Sequence, residues 1–549
     1  MADNSTRQGR THVATKASGG GVNSVKETIE SIVIAFVFAF VFRAYVVEAF
    51  VIPTGSMAPT LLGQHVRVQC AQCSYRFETD VPDQDKQRTR HGSRVARQIR
   101  SDRYPVCPMC HYPNILENGT RPSAGDRILV HKYIYSLTEP RRWDVVVFKN
   151  PSNPNDNYIK RLVGLPGEKL LVVEGNVYAK PNDGTNPQWR ILRKTDKSQN
   201  PKAEHIQRAM WQPVYHSQHV PLDKGRLAPT RRSPWQSPWV AQSGDWAIEG
   251  RKSFEHRLAG KGIIGFDFSR QFTAPIQWYT YNQFKMPRYP SQPIEEVRIA
   301  SGFQPRQTGL SICMKTTARL DGNTPVVVAA RIDAAGRATL ETHHPKNPSQ
   351  VRVLADVQAS PLPPGRTTDI ELWYVDQQVS LWINGRQRLE WSFDFNDVSH
   401  VIQRRPLNPQ QYPQISIEVD GSPVTIHRIE VDRDIAYTAY QFGKREDIHR
   451  GTTVKYVDGR HASQPIDILA GQYFCMGDNS PMSFDGRFWQ QIDPWVKRTM
   501  FKEGENHLGI VPRQLMLGRA FFVYFPAPFS TKPSHWALFP NFGQMRFIH

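Results

Sequence analysis

Hydrophobic residues fall into three patterns along this chain. The first is a continuous run: Ser31 to Phe42 carries no charge, and beyond Arg43 the apolar character continues to Ile52, broken only by Glu48. From Ile29 to Ile52 this gives 24 residues, against the ~20 a helix needs to span a bilayer. A cleaved secretory signal is the competing reading, because the uninterrupted core is short and Val47-Glu48-Ala49 loosely resembles a cleavage site. The second pattern is a set of short apolar runs with turn residues between them. Strands are expected at 125–130, at 142–148 and at 157–163, the last closed by Pro166-Gly167 and carrying Lys160 among apolar neighbours. The third is period-two alternation repeated from about 245 to 435, as in Val326 to Ile332, the turn Asp333-Ala334-Ala335-Gly336, and Ala338 to Thr342. With Ile370 to Val375, Val379 to Ile383 and Val424 to Val431, it predicts a β-sandwich. Between the second and third patterns, residues 175–244 are polar and irregular and read as a linker.

Composition narrows the class. The 549 residues allow about three domains. Charged residues at 22 % are too few for a disordered polyelectrolyte. The net charge of +19 suits an anionic membrane surface or nucleic acid. Part of it sits before the apolar run, where Arg7, Arg10, Lys16 and Lys26 outnumber Asp3 and Glu27. The positive-inside rule therefore keeps the amino terminus cytoplasmic and puts everything after residue 52 on the exported side. More sits in an Arg-rich stretch, 86–103, close in sequence to the membrane, either touching anionic headgroups or simply solvated. Nucleic acid drops out as a partner.

Just past the apolar run comes Ile52-Pro53-Thr54-Gly55-Ser56-Met57-Ala58-Pro59. Two prolines and a glycine around one serine make a rigid bend that can present a hydroxyl, with the glycine leaving room for a substrate backbone. Lys160 is a candidate base only if it is neutral, and burial among Ile and Val lowers an ammonium pKa. Near the other end, Tyr473-Phe474-Cys475-Met476-Gly477-Asp478-Asn479-Ser480 leads into Ser483-Phe484-Asp485-Gly486-Arg487, dense in small polar groups. Cys475 itself reads as a small buried hydrophobe.

In this order, behind an anchor, these segments resemble type I signal peptidase, the membrane-bound Ser/Lys endopeptidase that removes signal peptides from exported preproteins. The resemblance covers the anchor, the nucleophile turn, 125–173 and about 465–530. It implies Ser56 as nucleophile and Lys160 as general base, with the Thr54 hydroxyl and the Ser56 N–H as oxyanion hole. It implies Ser483 as the hydroxyl orienting the lysine, and Arg161 with Asp478, and Asp485 with Arg487, as bracing ion pairs. Ile52 and Ile159 then line small apolar pockets for an Ala-x-Ala-like signal-peptide end. It also favours an uncleaved, single-pass anchor in the plasma (inner) membrane, with the catalytic domain on the extracytoplasmic face and lipid as a partner. Catalysis needs no cofactor. Gly486 departs from the family, which usually has serine there. A self-cleaving repressor of the Ser/Lys type fails on the anchor and on the 477–487 motif. The competing class is a non-enzymatic membrane-tethered binding module on a degenerate scaffold, against which the presence of Ser56, Lys160, Thr54 and Ser483 argues.

Cys70-x-x-Cys73 and Cys107-x-x-Cys110 have knuckle spacing. Four thiolates can hold a structural zinc ion as in a zinc ribbon, while one or two disulfides are the alternative in an oxidising compartment. The stretch Leu372 to Trp391, with a hairpin at Trp382-Ile383-Asn384-Gly385, weakly resembles concanavalin-like or laminin-G-like jelly rolls, which often bind carbohydrate. Trp373, Trp382 and Trp391 at strand spacing are more often core, which favours a spacer or protein-docking role over sugar binding. The expected architecture is mainly β: a tail (1–28), an anchor (29–52) and a signal-peptidase-type core in segments 53–69, 111–174 and 436–549. A zinc-ribbon-like insertion (70–110), the linker (175–244) and an inserted jelly-roll-like sandwich (245–435) interrupt it.

Overall fold

The computed structural model describes residues 20–81, 86–88, 94–96, 104–116, 119–173, 175–186, 188–223, 235–248, 253–270, 280–283, 294–319, 325–394, 413–437, 440–441, 457–458, 465–505, 508–528 and 541–549. The tail 1–19 and most of the Arg-rich stretch lie outside them.

The molecule is mainly β, as the alternation predicts. The strands that carry Ser56's neighbours and Lys160 belong to one eight-stranded sheet, the core sheet, assembled from distant parts of the chain. Its order is Val47–Val51, Arg127–His131, Met516–Phe525, Val145–Asn150, Asn153–Gly164, Gln472–Met476 and Ile510–Pro512, with Arg546–Phe547 paired to Met516–Phe525. The expected strand at 157–163 lies inside Asn153–Gly164, antiparallel to Val145–Asn150, with Lys160 opposite Val146. A smaller sheet, Arg190–Ile191, Asn176–Pro181, Glu168–Val173 and Ile466–Ile468, flanks it.

The sandwich is present and larger than expected. One eight-stranded and one seven-stranded sheet face each other across a single core containing Phe303, Ile312, Leu340, Leu372, Leu381 and Ile426. The Asp333–Gly336 turn closes with a Gly336 N–H to Asp333 carbonyl bond of 3.0 Å, and Gly336 sits at φ +85°. The Trp382–Gly385 hairpin turns through Asn384 and Gly385, both at positive φ, a type I′ geometry that Asn-Gly favours.

Two expectations are corrected. The span 175–244 is not an irregular linker. It holds Asn176–Pro181 in the flanking sheet, the helix Ala203–Met210, and two strands, Gln212–His216 and Trp239–Ser243, that join the sandwich sheets. The helix is only eight residues long, and its buried side, Ala203, Ile206, Gln207 and Met210, includes a polar residue, which hid its period. The apolar segment also divides earlier than expected. A helix runs Gly20–Tyr45, and Val47–Val51 then turns into an edge strand against Arg127–His131, with Glu48 3.4 Å from Lys132. Cross-strand pairing outweighs helix continuation there. Among the described residues no helix is long and apolar enough to cross a membrane. Ile29, Ile32, Val33, Phe36, Phe38 and Phe40 of this helix are exposed.

Trp373 and Trp382 stack at 4.5 Å, are buried, and are covered by the Arg208 guanidinium of the helix. They are core and offer no stacking platform to a sugar. Trp391 is half-buried against Phe393.

Candidate active site

The serine turn folds as expected from its prolines. Gly55–Met57 forms a single 3-10 turn beginning after extended Thr54, and the Ala58 N–H closes it on the Gly55 carbonyl at 3.1 Å. Ser56 emerges half-buried beside the sheet. Lys160 comes from the neighbouring strand and is 4 % exposed. Its Nζ donates to Ser56 Oγ at 2.9 Å and to the Ile159 carbonyl at 2.9 Å. Burial lowers its pKa from the usual 10.5 to about 8, against the opposing pull of Asp485, Cys475 and Asp478, while Arg487 adds to the lowering. An amine with that value is neutral in about a tenth of molecules at pH 7.

Thr54 is exposed, and its hydroxyl donates toward Ser56 Oγ at 3.5 Å, at the long limit for a hydrogen bond. Ile52 is buried and Ile159 half-buried in one cluster with Val145, Val147 and Met57. Ser483 is buried, and its Oγ makes no hydrogen bond to Lys160. It lies over Gly477, where an added Cβ would stand 2.2 Å from Ser483 Oγ and 2.5 Å from the Ser56 carbonyl. Gly477 is therefore what lets the 477–483 loop close on Ser56.

Both ion pairs form. Arg161 grips Asp478 through two bonds of 2.7 Å, with both side chains fully buried, and donates again to the Trp143 and His549 carbonyls. Arg487 grips Asp485 at 2.8 and 2.7 Å and donates to Ser480 Oγ at 2.6 Å, and the Asp485 carboxylate also accepts from the Gly477 N–H at 2.8 Å and the Arg487 N–H at 3.2 Å. Burial alone would raise the Asp485 pKa, but Arg487 and the Gly477 N–H hold it below the ordinary carboxylate value. The glycine at 486 has a steric cause. A Cβ there would stand 2.7 Å from the Gly509 carbonyl and 2.8 Å from the Phe474 ring, so a serine does not fit. Cys475 is buried, and burial raises its thiol pKa.

Several site residues were not singled out by sequence reasoning. Asn479 donates its backbone N–H to the Ser56 carbonyl at 3.0 Å and its amide to the Gly55 carbonyl at 2.8 Å. Its position in an Asx-rich turn was the available signal. Tyr281 and Asn282, from a loop of the sandwich, gave no local signal. Tyr281 also changes one expectation: the face of Gly55 read as room for a substrate is filled by its ring, whose Cε1 lies 2.3 Å from where a Cβ would be.

The four knuckle cysteines converge. Cys70 and Cys110 sulfurs are 3.5 Å apart, as are those of Cys73 and Cys107, and all four lie within 4.8 Å of one another. No disulfide links them. These separations far exceed a ~2.05 Å S–S bond. They lie near the ~3.8 Å edge of a thiolate tetrahedron with ~2.3 Å metal bonds. The two knuckles share one conformation. Cys70 N–H reaches the Tyr75 carbonyl and Cys107 N–H the Tyr112 carbonyl, and both turns pass through a residue at φ 59°, Ser74 and His111. The Gln72 N–H points at Cys70 Sγ at 3.4 Å, as a metal-bound thiolate would accept.

Similarity to known proteins follows the same segments. The family model described as signal peptidase, peptidase S26, matches residues 25–95, 118–226 and 412–525, more than half of the chain and on both sides of the sandwich. Signal peptidase I of Pseudomonas aeruginosa is 43 % identical over 82 residues, 12 % of this chain and 29 % of that protein. The same-named protein of Aquifex aeolicus is 50 % identical over 46 residues, 8 % of this chain and 18 % of that protein. The chain thus spans under a third of the length of these relatives in the matched regions. A carbohydrate binding module from Bacillus subtilis aligns with 36 % of this chain and 96 % of its own at 11 % identity and a TM-score of 0.23, too low to argue from. The break between the second and third matched segments falls within the sandwich, and the matched segments hold Ser56, Lys160, Thr54, Ser483 and both ion pairs: the chain belongs to the signal peptidase family, peptidase S26.

Proposed function

We propose that this protein is a membrane-bound serine endopeptidase that removes signal peptides from exported preproteins with a Ser56/Lys160 dyad. The observation that carries this reading is the 2.9 Å contact between Ser56 Oγ and a buried Lys160 amine whose pKa is about 8. Neutral Lys160 takes the Ser56 proton as Oγ attacks the scissile carbonyl. The oxyanion is stabilised by the Ser56 N–H and the Thr54 hydroxyl, a contribution worth about 10²–10³ in rate per donor. The Lys160 ammonium returns its proton to the departing amine, leaving an ester on Ser56. Lys160 then deprotonates a water that hydrolyses the ester, and the proton goes back to Ser56. Ile52 and Ile159 support a narrow apolar pocket for small side chains. Ser483, buried against Gly477, orients the lysine once the substrate tightens the site.

The exposed apolar residues of Gly20–Tyr45 support attachment of this helix to the membrane, with the catalytic domain on the exported face. The four knuckle thiols hold a structural zinc ion, which supplies cross-linking and no chemistry, since four thiolates leave no open position. Any carbohydrate or protein ligand of the sandwich binds away from Trp373 and Trp382.

The test is cleavage of a preprotein after a small residue by purified protein. Ser56→Ala and Lys160→Ala should each abolish it with the fold intact, and retained cleavage in either overturns the dyad. Elemental analysis of fresh protein should find one zinc per chain; none, with all four thiols oxidised, reverses the metal reading.

A further inference from the structure

The sandwich returns one short turn, Thr280–Asn282, to the catalytic core. Tyr281 is buried with Ala58 and Leu62 and packs against Gly55. Asn282 is 1 % exposed and forms a reciprocal amide pair with Asn479. Its Nδ2 donates to Asn479 Oδ1 at 2.6 Å, and Asn479 Nδ2 donates back to its Oδ1 at 2.8 Å. The turn is itself fixed to the knuckle region. The Asp80 N–H and the Thr79 hydroxyl donate to the Tyr281 carbonyl at 2.6 and 3.2 Å. Gln283 exchanges two bonds with the Val106 backbone, at 2.7 and 3.1 Å.

We infer that Asn282 is a positioning residue for the nucleophile, acting through Asn479, so that the inserted sandwich completes the active site instead of merely being tolerated beside it. The Asn479 amide must present its NH₂ to the Gly55 carbonyl. Turned over, it would oppose oxygen to oxygen and release the 3-10 turn that carries Ser56. The carbonyl of Gly55 selects one orientation for Asn479, and the reciprocal pair with Asn282 locks it, because a buried amide can rotate only by leaving both bonds unmade. A nucleophile displaced by about 1 Å can lose about 10²-fold in rate. Tyr281, packed against Gly55, adds a steric stop to the same turn.

The inference rests on the Ser56/Lys160 reading, and the experiment separates the two. With a peptide substrate carrying a small residue before the scissile bond, Asn282→Ala should lower kcat about 10- to 100-fold, leave KM unchanged, and keep the acid limb of the pH profile where the wild type has it. Amide hydrogen exchange, measured without substrate, should accelerate in peptides covering 52–62 and stay unchanged in sandwich peptides such as 368–383. An unchanged kcat overturns the inference. So does a raised kcat, which would make the turn a plug, or a raised KM at constant kcat, which would make it a substrate contact. If the wild type does not cleave, the peptidase reading fails, and the exchange comparison decides alone: acceleration confined to 52–62 sustains the positioning role, and its absence or a spread over the sandwich overturns it.

Discussion

Two buried lysines in this protein have opposite fates. Lys160, in the core sheet, touches a hydroxyl and a carbonyl and makes no direct ion pair, and burial lowers its pKa to about 8. Lys194, 3 % exposed where the flanking sheet meets the sandwich, lies against Asp376 and, at 2.8 Å, Asp434, with Glu296 in the same cluster. Burial alone would lower its pKa as well, but the carboxylates raise it above 10.5. The partners decide the outcome. Desolvation without a counter-charge makes a base, and desolvation inside an acidic cage makes a permanent cross-link. Asp478 and Asp485 are close enough to pull Lys160 the second way, yet each is already gripped by its own arginine, which leaves the amine free to lose its proton.

The sharpest way to break this contrast is to replace each lysine by methionine. Lys160→Met should cut cleavage about 10⁴-fold or more. It should also raise the thermal midpoint at pH 7 by a few degrees, because most molecules carry a poorly solvated ammonium at that pH; a lowered midpoint would show that the amine stabilises the fold. Lys194→Met should do the reverse, costing about 3–5 kcal/mol in denaturant titration by leaving buried carboxylates unpaired, with kcat per folded molecule unchanged. A smaller effect separates the two by pH. Cleavage should rise about tenfold per unit up to about pH 8 and then level. Lys160 is protonated more readily in the unfolded chain, so its penalty on stability is full below about pH 8 and fades as pH rises toward 10.5. The Lys194 contribution, from a raised pKa, is complete below 10.5 and is lost only above it; because burial raises the Glu296 and Asp376 pKa values and Lys194 opposes that rise, Lys194→Met should lower stability more at pH 9 than at pH 6. The smallest change is Asp485→Asn. Removing a charge that favours the ammonium should move the acid limb of kcat/KM downward by less than one pH unit; an upward shift would mean that Asp485 does not act on Lys160 through charge.

The sequence made the site legible where the chemistry is local. The proline-framed serine, the lysine inside an apolar strand and the cysteine knuckles each announce themselves within ten residues, and their alternation places the strands that carry them. The ion pairs required a family resemblance, because Arg161 and Asp478 meet only after the chain has travelled through the whole sandwich. The acidic cage of Lys194 and the Asn282–Asn479 pair escaped for the same reason: each joins residues far apart in sequence, and neither asparagine nor lysine is unusual where it stands. The 175–244 span was misread because its strands complete sheets begun elsewhere, so that short polar segments are held by partners and not by their own pattern. The early end of the helix followed from the same rule, with Val47–Val51 recruited by Arg127–His131.

Met516–Phe525 lies in the middle of the core sheet, between Arg127–His131 and Val145–Asn150. A ribosome therefore delivers the nucleophile and base strands long before the strand that joins them. Until it arrives, Arg127–His131 and Val145–Asn150 have no strand between them and face one another across an open seam. Loop closure over so long a separation is slow relative to local folding, and the sandwich, all of whose strands precede Met516, can form first. If Ser56 and Lys160 act as proposed, the order of synthesis leaves their site unassembled until Met516–Phe525 is made, a safeguard for a protease that would emerge among its own substrates.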